Sequence, residues 1–372
     1  MHRVAISSTG LYIPPHVISN EELVASFNRF ADLENAKHAA DIAAGTRQPI
    51  PQSSVEFIER ASGIKRRYVM EKSGVLDPQR MRPRLTARPD SELSLMAEIG
   101  VAAARDALAR AGKQPADIDA VICAAANMQR AYPAMAVEIQ TALGIEGFGF
   151  DMNVACSSAT FALEMAVNAV KTGSARAVLV VDPEITSPHL AWKDRDCHFI
   201  FGDVCTAILV ERLENAPAGA FEVLGTRLVT TFSNNIRNNA GYMSRSEDRN
   251  PEDRDLLFYQ EGRKVFKEVC PMAAQHINTH LADLGLAASG VRRFWLHQAN
   301  LAMNQLIGRK LLGHDATPDE APVILDEFAN TASAGSVIAF HRHHDDIKAG
   351  EVGVISSFGA GYSIGSVVLR RT

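Results

Sequence analysis

Cysteine is scarce in this chain and poorly placed for cross-linking. Five occur among 372 residues (Cys123, Cys156, Cys197, Cys205 and Cys270), an odd number, widely spread and without a Cys-x-x-Cys pair. That spacing argues against a disulfide framework or a zinc ribbon and fits a reducing, cytoplasmic setting. Basic residues are in deficit: 38 Lys and Arg against 43 Asp and Glu leave a formal charge of −5. Bulk charge therefore recommends neither a nucleic acid nor an anionic membrane surface as partner. No uninterrupted apolar run approaches bilayer length, so no membrane span is expected. The opening "MHRVAISSTGLYIPP" lacks a basic head, an apolar stretch and a cleavage site, and reads as a first strand and turn. The glycines of "FGAGYSIG" are followed by no acidic residue at dinucleotide-fold distance, which argues against a nicotinamide site.

What is present is an ordinary globular mixture, 47% hydrophobic and 22% charged, long enough for two domains or one large pseudo-symmetric unit. "DAVICAAA", "ARAVLVVD" and "GEVGVISSF" are apolar on both faces, as central strands are. "SLMAEIGVAAARDALARAG" has helical periodicity and a glycine stop. The alternation predicts an α/β protein. Residues 106–127 ("DALARAGKQPADIDAVICAAAN") align without a gap to 279–300 ("THLADLGLAASGVRRFWLHQAN"), and "FGDVCTAILVER" resembles "FGAGYSIGSVVLRR". Two matches in the same order predict duplicated halves at about 1–215 and 216–372. His297 occupies the place that Ala124 holds in the other copy, at a strand's C-terminal end, where ligands of α/β sheets gather.

Three residues share such a strand-to-helix setting: Cys156 in "NVACSSAT", His297 in "WLHQANLAM" and Asn330 in "EFANTASAGS". Alone, each has a plain structural reading as core cysteine, buried histidine and helix cap. Together they suggest chemistry. A helix start stabilises a thiolate and is expected to lower the pKa of Cys156. A histidine and an asparagine form a donor pair for negative charge developing on a carbonyl oxygen.

With these motifs assembled, the sequence resembles the β-ketoacyl-acyl-carrier-protein synthase III family, the initiating condensing enzymes of bacterial fatty-acid synthesis in the thiolase superfamily. The resemblance rests on "DMNVACSSATFAL", "HQANL", "ANTASAGS", "FGAGYSIGS", "FGDVCTAILV" and "SGIKRRYV", which cover most of the chain in order. It implies a duplicated α/β/α/β/α layered fold of two pseudo-symmetric halves. It also implies that Cys156 takes an acyl group from acyl-coenzyme A as a thioester. His297 and Asn330 would hold the malonyl thioester carbonyl during decarboxylation. The backbone N–H groups of Cys156 and Ala360 would form the oxyanion hole, Ala360 standing where the family usually has glycine. For substrate binding it implies Arg195 in contact with coenzyme A, Phe57 stacked on its adenine, Gly262 and Asn300 in the pantetheine tunnel, and Phe201 and Phe266 as further binding residues. Lys267, Arg309 and Lys310 would dock the acidic carrier protein that brings malonyl. The family is homodimeric, and Tyr132 stands where its aromatic residue reaches into the partner's acyl pocket, which suggests a primer longer than acetyl. No metal or cofactor beyond the coenzyme A thioester substrate is implied. Two departures are Ala61, where arginine is common (Arg60 precedes it), and Ala302, where a basic residue often follows "HQANL".

Other readings have weaker grounds. The order Cys, His, Asn also matches papain-like peptidases, but their Cys-Gly-Ser-Cys-Trp type signature is missing and a duplicated fold has no place there. Relatives of the same fold make long-chain ketones, quinolones or polyketides, and a binding protein with a dead site would not need the trio. "HRHHDD" (341–346) looks like a metal cluster but falls at the end of a helix before the last strand. A polar stretch at about 25–90 exceeds the compact family core. Its alanines predict a helix, and its placement suggests a lid or an extra contact over the active-site face.

Overall fold

The computed structural model describes residues 1–247, 250 and 253–372. Nine strands form its main sheet. In the first half these are β1 (Val4–Tyr12), β2 (Ala120–Ala124), β3 (Phe148–Met152), β4 (Ala177–Glu184) and β5 (Val204–Arg212). The second half supplies β6 (Phe221–Ser233), β7 (Val291–Leu296), β8 (Val352–Gly359) and β9 (Gly361–Arg371). The spatial order is β3-β2-β4-β5-β1, then β6-β9-β8-β7. Each half thus repeats one winding pattern, except that among the described residues the second has no counterpart of β3. In that place the segment before residue 324 runs beside β7, with the Phe294 N–H donating to the Glu320 carbonyl at 2.7 Å. The halves join through a short β1–β6 pairing, Ala5 with Glu222 and Ile6 with Phe221.

Helices complete five layers. α3 (Leu95–Ala111) and α4 (Met135–Leu143) cover the outer face of the first half-sheet, burying Ile99, Ala103 and Ile139. α6 (Gly262–Asp283) and α7 (Leu301–Leu312) cover the outer face of the second. Between the half-sheets lie α5 (Ser158–Thr172) and α8 (Ala334–Arg342), whose apolar residues share one core with Val180, Ile208, Trp295 and Ile355. Strands facing helices on both sides must be apolar on both faces. β2 and β4 are buried at every position. Helix ends follow local chemistry: Ser94 caps α3 by accepting the Ala97 N–H, and Gly112 closes it in the left-handed region.

Of the two expectations for the long polar segment, the structure has the extra contact and not the lid. The segment forms α1 (Asn20–Lys37) and α2 (Val55–Ser62) joined by a short helix at Ala39–Ala43 and an extended strap. α1 buries Leu23, Phe27 and Phe30 in a cluster with Trp192 and Phe199, about 1.5–3 kcal/mol for each fully buried side chain. Asn28 and Asn35 hold the strap by hydrogen bonds to Ser53 and Ile50. The segment buttresses one wall of the site, and of its residues only Phe57, Ala61 and Ser62 reach the cavity. The "HRHHDD" residues are engaged elsewhere: His341 contacts Thr9, His344 packs on Phe340, and Asp346 pairs with Arg293. Among the described residues no helix is long and apolar enough to cross a membrane.

Candidate active site

A cavity of about 730 Å³ opens at the C-terminal ends of the strands and reaches Cys156, His297 and Asn330 together. Six phenylalanines line it: Phe57, Phe199, Phe201, Phe258, Phe266 and Phe358. Its walls suit a thin, mostly apolar ligand with polar groups at its inner end. A hollow of similar size lies at the opposite strand ends, but its polar groups are engaged with one another, Arg292 paired with Asp319 and His314 hydrogen-bonded to Glu320.

Cys156 sits in a one-turn 3-10 segment, Ala155–Ser157, at the foot of α5. The turn is set by Asn153, whose Oδ1 accepts the Ala155 N–H at 2.9 Å, and Ala155 adopts φ 46°. A non-glycine residue in that region is strained by roughly 1–3 kcal/mol and persists only where its surroundings dictate it. Gly359, the last residue of β8, lies against the cysteine: a Cβ placed there would come within 2.6 Å of the Cys156 Cβ and 3.2 Å of its Sγ. The backbone N–H groups of Cys156 and Ala360 act on the thiol as donors that favour the thiolate. Burial nevertheless pushes the thiol up to about 12, helped by the negative charge of Glu184 and opposed by those two N–H donors. This reverses the expectation of a lowered pKa, because desolvation outweighs the helix start.

His297 follows β7 directly, and its N–H donates to the Ser356 carbonyl at 2.8 Å. Its ring meets Phe358 edge-on, and burial pushes it down to about 3, so the imidazole is neutral. Nδ1 is buried without a partner. The tautomer protonated at Nε2 leaves only a lone pair unsatisfied and provides a donor.

Asn330 is pinned at both ends of its peptide unit, its N–H to the Ile200 carbonyl and its carbonyl to the Gly202 N–H. Its Oδ1 accepts the Ala332 N–H at 3.0 Å, and Ala332 adopts φ 47°. This fixes the amide orientation: Oδ1 is used within the turn, so Nδ2 is the end left for the cavity. The turn copies the one at Asn153, and the sequence carries the signal as Asn-Val-Ala-Cys and Asn-Thr-Ala-Ser. Comparison of helix–strand units alone missed it.

The binding residues divide. Phe57, Phe201, Gly262, Phe266 and Asn300 line the cavity. The Arg195 guanidinium stacks 3.8 Å from the Phe57 ring centroid at the mouth, held by Nε donation to the Gln52 carbonyl. Asn300 uses its side chain structurally, capping α7 through Ala302 and donating to the Ala61 carbonyl at 2.6 Å. Tyr132 lies outside its own chain's cavity with 84% of its surface exposed. Lys267, Arg309 and Lys310 are exposed on α6 and α7 away from the cavity, and Arg309 pairs with Asp315. Arg263, which the sequence reading passed over, is the basic residue of α6 that lines the mouth.

The doubled sheet, with one apolar tunnel ending at a cysteine between its halves, places the chain among the thiolase-fold condensing acyltransferases. Family models for 3-oxoacyl-[acyl-carrier-protein] synthase III match residues 150–230, and for its C-terminal part residues 281–371. The chain is 60% identical over 347 residues to a β-ketodecanoyl-[acyl-carrier-protein] synthase of Pseudomonas aeruginosa, covering 93% of this chain and 99% of that one. It is 28% identical, over the full length of both, to a β-ketoacyl-[acyl-carrier-protein] synthase III of Granulibacter bethesdensis. The fold matches the Aquifex aeolicus 3-oxoacyl-[acyl-carrier-protein] synthase III with a TM-score of 0.77 at 24% identity, covering 99% of each chain. The chain belongs to the 3-oxoacyl-[acyl-carrier-protein] synthase III family.

Proposed function

We propose that this enzyme extends an eight-carbon acyl-coenzyme A primer with malonyl-acyl-carrier protein to give a β-ketodecanoyl product. The observation that carries this is the 60% identity to a β-ketodecanoyl-[acyl-carrier-protein] synthase. Decarboxylative condensation adds two carbons, so a ten-carbon product requires an octanoyl primer. A tunnel walled by six phenylalanines suits such a chain.

In the first half-reaction the Cys156 sulphur attacks the acyl-coenzyme A carbonyl. The oxyanion falls to the N–H groups of Cys156 and Ala360, and the departing coenzyme A sulphur ends with the thiol's proton. In the second, the malonyl thioester oxygen takes hydrogen bonds from His297 Nε2–H and Asn330 Nδ2–H. Carbon dioxide leaves, and the electron pair moves into the enolate that these donors stabilise. The enolate carbon attacks the acyl-cysteine carbonyl and Cys156 sulphur departs, recovering a proton from solvent. Phe57 with Arg195 receives the coenzyme A end, with no metal or cofactor needed. Lys267 and Lys310 offer cations to an acidic carrier protein.

A homodimer is part of the same reading. β3 is the sheet's edge and exposes Phe148 and Phe150, while Val137 on the adjoining α4 is exposed as well. An unpaired apolar edge calls for a covering strand, and a second copy of β3 would supply it, bringing the exposed Tyr132 to its neighbour's acyl pocket. The enzyme would work in the cytoplasm, where carrier protein and coenzyme A are available. The test is kcat/KM for acetyl-, hexanoyl-, octanoyl- and decanoyl-coenzyme A with malonyl-acyl-carrier protein. Octanoyl should lead, with Tyr132→Ala altering the preference. A preference for acetyl would overturn the chain-length assignment.

A further inference from the structure

Beneath the two catalytic turns lies a buried acidic pair that the reaction as described does not use. Asp182 and Glu184 stand near the end of β4, both almost wholly buried. Glu184 Oε1 accepts three hydrogen bonds: from the Ala126 N–H at 2.9 Å, the Ser333 N–H at 3.1 Å and the Ser333 hydroxyl at 2.8 Å. Asp182 Oδ1 lies 2.6 Å from the same Ser333 Oγ and its other oxygen 3.5 Å from Thr206 Oγ1, and the Asp182 and Glu184 carboxyl groups also hydrogen-bond each other directly.

Proton counting settles the charge state. Ser333 Oγ contacts two carboxyl oxygens but has one proton to give. The second contact needs a proton on a carboxyl group. Glu184, which collects two backbone N–H groups on the same oxygen, is the natural carboxylate. Asp182, almost without donors, is the natural acid. The chain therefore runs from the Asp182 O–H to Ser333 Oγ, and from the Ser333 O–H to Glu184. Burial raises both carboxyl groups, and the neighbouring Glu184 raises Asp182 further, in agreement with this order.

Glu184 touches the Asn330 turn directly and reaches the Asn153 turn only through Ala126. Ser333 belongs to the turn that aims the Asn330 amide, and Glu184 binds it twice. Ala126 leads to the other turn at one remove, since its carbonyl accepts from Asn153 Nδ2 at 2.8 Å. We infer that Glu184 is a positioning residue for the condensation half-reaction, fixing the Asn330 turn through Ser333 with Asp182 as the neutral donor behind it. This rests on the division of roles proposed above. The ionisable groups facing the pair are Cys156, Cys123 on β2 and Cys205 on β5, with Asp151 of β3 also acting on Cys123.

The test compares Glu184→Gln and Asp182→Asn by two readouts. One is rates: acylation of Cys156 by octanoyl-coenzyme A against full condensation. The other, independent of activity, is the pH profile of Cys156 alkylation by iodoacetamide. Losing charge-assisted hydrogen bonds at Glu184 should slow condensation by about tenfold or more while acylation stays within about threefold. Removing its charge should shift the alkylation profile to lower pH. Asp182→Asn, which keeps a neutral donor, should cost less in condensation and leave the profile in place. If Glu184→Gln fails to fold, Ser333→Ala should give the same split in rates. Equal losses in both rates with an unmoved profile would overturn the inference in favour of packing alone. An Asp182→Asn variant that shifts the profile as Glu184→Gln does would overturn the proton assignment. A wrong primer length would change all acylation rates together and leave the alkylation profiles standing.

Discussion

The turns beginning at Asn153 and Asn330 are copies of one backbone device, with matching asparagine brackets and alanines at φ 46° and 47°. Their side chains are spent in opposite ways. In the first copy the asparagine amide is consumed, donating to Ala126, and the residue after the alanine is Cys156, open to the cavity. In the second the residue after the alanine is Ser333, consumed by Asp182 and Glu184, and the asparagine amide faces the cavity. What abuts each turn differs accordingly. Glu184 ends β4 and grips Ser333, whereas Gly359 ends β8 and leaves room for the sulphur. On the proposed mechanism the comparison teaches how a duplicated scaffold would divide a two-step reaction: one copy would give the nucleophile, the other a donor for the enolate.

Removing the nucleophile should have the largest effect. Cys156→Ala should abolish the acyl-enzyme and condensation while retaining part of the malonyl decarboxylation that the other copy supports. Intact-mass measurement after mixing with octanoyl-coenzyme A, together with carbon dioxide release, checks both. Acylation moving to Cys123 or Cys270 with condensation intact would break the comparison. Next comes Gly359→Ala. The added methyl cannot fit 2.6 Å from the Cys156 Cβ, and a displaced nucleophile should slow acylation by about 10²-fold. Stopped-flow detection of released coenzyme A measures it, and a near-normal rate would mean that the turn has slack. The smallest effect concerns pH. With the thiol pushed up to about 12, its reactive thiolate lies well below saturation near neutrality. Iodoacetamide alkylation of Cys156 should then rise by about tenfold per pH unit from pH 7 to 10. A plateau below pH 8 would mean that the helix start and the N–H donors outweigh burial.

Much of this was legible in the sequence. Apolar runs marked β2, β4 and β8, and the aligned helix–strand segments exposed the duplication. The three motifs named Cys156, His297 and Asn330, which the fold gathers around one cavity. What escaped depends on three-dimensional burial. The Cys156 thiol was expected to fall because a helix start is visible in sequence, whereas the desolvation that raises it is not. Asp182 and Glu184 stood in plain view at the end of an apolar strand, but only the approach of Ser333, 149 residues from Glu184, gives them a role. The polar stretch after residue 25 left a lid and an extra contact both open because its composition hid Phe27 and Phe30, which with Leu23 just before them bind α1 to the wall.

The division of labour between the two turns is tested most directly by Asn330→Ala, with acylation and decarboxylation measured on the same preparation. Loss of one preorganised donor typically costs about 10²–10³ in rate. Carbon dioxide release from malonyl-acyl-carrier protein, and condensation with it, should fall by that order, while Cys156 acquires its octanoyl group at close to the wild-type rate. Equal losses in acylation and decarboxylation would contradict the account and make Asn330 a structural support of both turns.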